Sequence, residues 1–418
     1  MRGPAAPLAS PAETTTGTLP RHVRFTAWRD LAPGTHLGTV ATAAGLSIGS
    51  PAGTLRYVDP HAGPGATARE YEWSSWVSPE VRTGFDATEL VPSWNASTPG
   101  DSWLVVEART AATDRAGARR WSPWFVVARW ADSDREIHPT SVPGQCSDGA
   151  LVDTDVLRSR GGTGWSAYQV RVTLLRRTGS DAAPTVRLVG AMASAVPAEA
   201  PDEVSAGGTG WGLELPVPTY SQQLHRDQYV QWDRGGSSWC SPTSTSMLLA
   251  FHGRLPAEDE YAWVHPDAPD RFVVQATRHV FDYAYRGAGN WAFNTAYAGR
   301  PGVEAFVTRL RSLAEAELFV AAGLPLAATV SFHRDALTGA GYDTAGHLLT
   351  IVGFTASGDV VCNDPASHTV ASNDAVRVVY DRAELERVWL GSAGGVVYVV
   401  HPPEVPLPAH PDPDEPAW

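Results

Sequence analysis

The rhythm of apolar positions changes near the middle of the chain. Between residues 21 and 195, runs such as "SWLVVEAR", "WFVVARW", "YQVRVTLLRR" and "TVRLVGAMAS" alternate apolar and polar residues, and turn-rich pieces such as "SWNASTPGD" and "RRTGSDAAP" separate them. Alternation at period two, punctuated this way, predicts the antiparallel strands of a β-sandwich. Residues 196–212, "VPAEAPDEVSAGGTGWG", are rich in Pro, Gly and acidic side chains and read as a linker. From 213 to 403 the spacing shifts to three and four. It predicts helices over "PTSTSMLLAFHG", "RFVVQATRHVFDYAY", "VEAFVTRLRSLAEAELFVAAG" and "RAELERVWLG", with Gly253, Gly323 and Gly391 as their stops. Strands follow in "PLAATVSF", "HLLTIVGFT", "DVVCNDPA", "AVRVVYD" and "GGVVYVVHPP". The expectation is a multidomain chain: an N-terminal all-β sandwich, then an α+β domain with helices first and strands later. The first 20 residues read as a disordered leader, and the Pro-rich stretch 404–418 as a disordered tail.

Tryptophans cluster in the first half, with "WSSW" at 73–76 and "WSPW" at 121–124. They suit either a carbohydrate or peptide platform, or the core of a sandwich.

Charge narrows the partners. The formal net charge is −13 and the chain contains no lysine, which argues against nucleic acid and against a polybasic membrane anchor. No apolar run approaches the ~20 residues of a membrane helix. The start lacks the apolar core of a signal peptide. Secretion is expected, with the signal absent or trimmed from this chain, and a cytoplasmic location is the alternative. Three cysteines, Cys146, Cys240 and Cys362, make neither a disulfide framework nor a CxxC zinc site. No metal and no cofactor are expected.

Chemistry concentrates in two places. Cys240 precedes Pro242, which suits a first helical turn, so the thiol should sit at a helix N-terminus where a thiolate and an oxyanion are both favoured. Downstream, "TAGHLLTIVGFTASGDVVCNDPAS" reads as a hairpin with its turn midway between His347 and Asp364, which brings both to the same end. A carboxylate orienting an imidazole beside a nucleophile is the arrangement of a catalytic triad. Gln222 is the first choice for an oxyanion donor, with Gln231 in reserve. Trp239, Ser241, Trp291 and Asn294 are the candidate substrate contacts. Cys362 reads as a small buried hydrophobe, with pairing to Cys146 as the alternative.

"VPTYSQ…WCSPTSTSMLL", "GHLLTIVGF" and "DVVCNDPAS" together resemble the C39-like branch of the papain-fold cysteine peptidases, in the actinobacterial variety that carries an N-terminal β-rich domain. The resemblance implies a papain-like second domain, with Cys240 as nucleophile, His347 as general base and acid, Asp364 as the orienting group and Gln222 as oxyanion donor. Ser241 stands where many members have Gly, and the long insertion between Cys240 and His347 is expected to shape the cleft. The implied partner is a peptide or protein substrate, with cell-wall glycan a second candidate through the β domain. A thiol acyltransferase on the same site, or a binding protein working through the tryptophans, are the other functions considered.

Overall fold

The computed structural model describes residues 21–113, 117–162 and 164–418; the leader expected over residues 1–20 lies outside them. Alternation in the first half becomes two antiparallel sheets of seven and nine strands. In one, Trp165–Arg177 pairs with Ser102–Thr113 and with Arg69–Val77. In the other, Thr185–Ala195 pairs with Glu89–Ser97 and His22–Trp28. Their inner faces share one core that includes Leu104, Val172 and Val189, with Trp76, Trp94 and Trp130 among its largest members. The two WxxW pieces have different fates. Trp76 is core, whereas Trp121 and Trp124 lie on the outer face with Arg109 stacked 4.5 and 4.6 Å from their ring centres and Arg171 4.5 Å from Trp124. Guanidinium groups thus occupy ring faces that a sugar would need.

The second half is built on a six-stranded antiparallel sheet in the order 304–309, 396–401, 326–332, 344–354, 360–363 and 377–380. Five α-helices occur among the described residues: α1 (Cys240–Phe251), α2 (Arg271–Val280), α3 (Trp291–Ala298), α4 (Leu313–Ala321) and α5 (Arg382–Ala393). The molecule is a two-domain, strand-rich protein whose N-terminal part is all β.

Several expectations need correction. Helices and strands interleave rather than follow one another. "VEAFVTRLRS" contains a strand, Glu304–Arg309, and not the start of a helix. This strand is wedged between the two halves: Asn95 bonds both the carbonyl and the amide of Ala305 at 2.7 and 3.0 Å, and the Val307 amide donates to Ser93 Oγ. Burial on both faces erases the period-two signal. Gly391 lies inside α5, which ends instead at Gly394 in the left-handed conformation. A further helix, α3, for which the spacing gives no sign, is capped by Asn290.

The linker and tail are packed straps. Buried Glu317 accepts from the amides of Gly208 and Gly210, the Trp211 indole and Arg382. At the far end, the Phe25 amide donates to Pro416 O at 2.8 Å, Ala417 is fully buried, and Trp418 packs edge-on against Phe319 of α4. No described helix is long and apolar enough to cross a membrane. Cys146 is exposed, Cys362 is buried, and neither is in a disulfide.

Candidate active site

Cys240 is the first residue of α1. The helix is buried on almost every side, from Ser241 to Leu249. Each hydroxyl of its Ser/Thr run is consumed. Thr243 and Ser246 bond back to the carbonyls of Trp239 and Pro242, Ser244 donates to Leu348 O, and Thr245 to Asn294. Burial of so polar a helix is tolerated because each group is paired. Its N-terminal end, where the first amides have no intrahelical acceptor, opens on a cleft.

His347 begins the buried part of strand 344–354, and Asp364 follows strand 360–363 directly. The pairing of Ile351 with Cys362 and of Thr350 with Asn363 brings the two together at one end of the hairpin. His347 Nε2 meets Asp364 Oδ1 at 2.8 Å, both side chains being buried. Oδ1 also accepts the Ala366 amide, and Oδ2 accepts two phenols, Tyr342 and Tyr380, each at 2.7 Å. Four donors therefore hold one carboxylate. Burial alone would raise the Asp364 pKa, but the His347 charge and these hydrogen bonds bring it below the usual value. Burial likewise opposes charge on His347, yet Asp364 and Cys240 outweigh it and raise its pKa to about 10. Burial and the Asp364 charge push both tyrosines up, which keeps them as donors. With Nε2 taken by Asp364, Nδ1 is the ring nitrogen left for sulfur. Cys240 supports the charged imidazole both through the charge of its thiolate and through a side-chain hydrogen bond.

Gln222 joins the two parts. It opens a 3₁₀ turn, its amide donates to Pro365 O at 3.0 Å, and its Nε2 donates to Ser237 O at 2.8 Å. One neighbour of the orienting carboxylate and one of the cysteine loop are thus tied to the same residue, the first through its backbone and the second through its side chain. Cys240, His347, Gln222 and Trp291 all line a cleft of about 1040 Å³. The insertion between Cys240 and His347 supplies Tyr285 and Trp291 to it.

Three expected substrate contacts are elsewhere. Trp239 is fully buried, donates its indole N–H to Trp232 O and packs at a tilt against His225. Ser241 is fully buried with Oγ 2.9 Å from the Tyr398 hydroxyl. Asn294 is fully buried and ties Ala288 O and Asn290 O to α3. Each turns away for the same reason: helical neighbours diverge by about 100° per residue, so only some can face the opening. Gln231 is exposed and is not part of the cleft lining. Sequence reasoning missed Tyr342 and Tyr380, which no local spacing marks, and also Asp155, a buried acid from the N-terminal domain that lines the same cleft.

Residues 21–194 match the family model of the Peptidase C39 N-terminal domain, and residues 214–396 match that of the Peptidase_C39 like family. No curated protein matches the chain. The two matches lie end to end over the two domains, with Cys240, His347 and Asp364 inside the second, and the chain belongs to the C39-like peptidase family with its accompanying N-terminal domain.

Proposed function

We propose that the protein is a cysteine peptidase that cleaves peptide bonds through Cys240, His347 and Asp364, on a second domain of papain-like α+β type. The observation that carries this reading is the placement of His347 between a fully satisfied Asp364 and Cys240 at the head of α1. In the reaction, His347 Nδ1 takes the thiol proton and the thiolate attacks the scissile carbonyl carbon. The oxyanion that forms is met by Gln222 Nε2 and by the Cys240 amide at the head of α1. Collapse expels the amine, which leaves with the proton from His347 and a thioester on Cys240. Water then gives a proton to His347 and attacks the thioester, releasing the acid and restoring the thiol.

Asp364 sets the ring orientation throughout and stabilises the imidazolium. The Tyr342 and Tyr380 hydroxyls hold its second oxygen, so the carboxylate does not rotate away. The substrate is a peptide or protein segment, for which a cleft of about 1040 Å³ has room. A position-scanned peptide library separates the outcomes: wild type should cleave it, and Cys240→Ala should be folded and inert. Cleavage by Cys240→Ala would overturn the reading.

A further inference from the structure

One wall of the cleft does not belong to the peptidase domain. A hairpin of the N-terminal domain, Ala150–Asp153 and Val156–Ser159, turns at Thr154 and Asp155. It is fixed at its base by pairing of Leu157 with Leu90 and Arg158 with Glu89. Its tip lines the cleft together with Cys240, Trp291 and His347.

Two features mark the tip as held in place. Thr154 has φ +55°, a conformation that a β-branched residue adopts only under constraint. Asp155 is buried, and its carboxylate accepts the backbone amide of Trp291, with Ala292 beside it, at the start of α3. Helix α3 is therefore capped twice, by Asn290 from its own segment and by Asp155 from the other domain. Beyond it, Arg158 is shared between Glu89 and Asp153, and Arg309 of the peptidase domain also binds Glu89. Asp153 lines the cleft and has a side chain 59% exposed.

We propose that the N-terminal domain is a working part of the substrate cleft: the 150–159 hairpin is its fixed wall, Asp155 is a positioning residue that seats Trp291 against the path of the peptide, and Asp153 favours a basic side chain where the peptide crosses the wall. This rests on the cysteine peptidase reading. The accessory domain then selects substrate directly and does not act as a separate anchor. An extended peptide must touch both domains to reach Cys240, whereas a molecule as small as iodoacetamide need not.

That contrast supplies the test, run on the full chain with Cys146→Ser to remove the exposed thiol. Rates of Cys240 labelling are compared for iodoacetamide and for peptidyl chloromethyl ketones carrying Arg or Glu at scanned positions. Asp155→Ala should slow the peptidyl reagents by about tenfold or more while iodoacetamide labelling holds, because small misplacements in a cleft cost large factors. Asp155→Asn, which keeps an acceptor oxygen, should recover most of the rate. Asp153→Arg, a surface change that does not threaten folding, should reverse the Arg-over-Glu preference. Unchanged peptidyl rates in Asp155→Ala together with an unchanged Arg/Glu ratio in Asp153→Arg would overturn the wall. Absence of Cys240 labelling by either reagent in the parent protein would overturn the nucleophile reading itself, and the inference with it.

Discussion

Two buried carboxylates serve the same cleft, Asp155 from its lining and Asp364 from behind His347, and they behave in opposite ways. Asp364 and Asp155 are both out of water, and burial pushes the pKa of each upward. Asp364 gains an imidazolium, two phenols and an amide, and its pKa falls below the usual value. Asp155 gains backbone amides but no cation, while Asp282 adds a like charge, and its pKa rises to about 7. Burial thus does not decide whether an acid is charged; the partners do. The peptidase domain keeps the permanent anion its histidine needs, and the accessory domain supplies an acid that changes charge near neutrality.

The comparison can be broken first at Asp364. Asp364→Ala strands His347 and two phenols in the interior, and should cost about 3–5 kcal/mol in urea unfolding as well as all turnover. Asp364→Asn keeps the shape, and its loss should appear mainly in kcat, by about 10²- to 10⁴-fold.

A second break uses pH. Asp364, depressed in the fold, contributes stability that is present above its unfolded value of 3.8 and is lost as pH falls through the folded value. Asp155 has the reverse sign: its contribution is full below 3.8 and is lost as pH rises toward about 7. His347 contributes fully below 6.5 and loses its contribution as pH climbs through about 10. Asp155→Asn should therefore gain on wild type between pH 5 and pH 8, by roughly 1–3 kcal/mol, with lost hydrogen bonds offsetting part of the effect. Chemical denaturation of both proteins at the two pH values measures this, and an equal difference at both would contradict the contrast.

Smaller effects sharpen it. Tyr380→Phe removes one donor from Asp364 and should cost about 1 kcal/mol, with a several-fold fall in kcat and little change in KM. Trp124→Ala breaks the outer Arg–Trp stack, which is not part of the cleft lining, and should cost about 0.5–1 kcal/mol in thermal unfolding with peptide turnover unchanged.

These contrasts also explain what could be read in the sequence. Cys240, His347 and Asp364 are each marked locally, by Pro242 at a helix start and by a hairpin with its turn midway, so short-range rules place them. Tyr342 and Tyr380 reach Asp364 from two other segments, and Asp155 comes from another domain; no spacing announces such meetings. The strand Glu304–Arg309 reads as helix because an interface on both sides removes its alternation. Trp239 and Ser241 flank Cys240 in the sequence, but the turn of a helix sends adjacent side chains in different directions. The tail reads as disordered from its prolines, whereas Ala417 and Trp418 supply apolar contacts that hold it down.

The central claim is that Cys240 carries the acyl group during turnover. Acid-quenching the protein during cleavage of a peptide identified from the library, followed by mass mapping of the segment around Cys240, tests it most directly. An acyl adduct is expected on Cys240 in wild type, less in His347→Gln because acylation needs the same histidine, and none in Cys240→Ala. Turnover with Cys240 unmodified at every quench time, or an adduct on another residue, would contradict it.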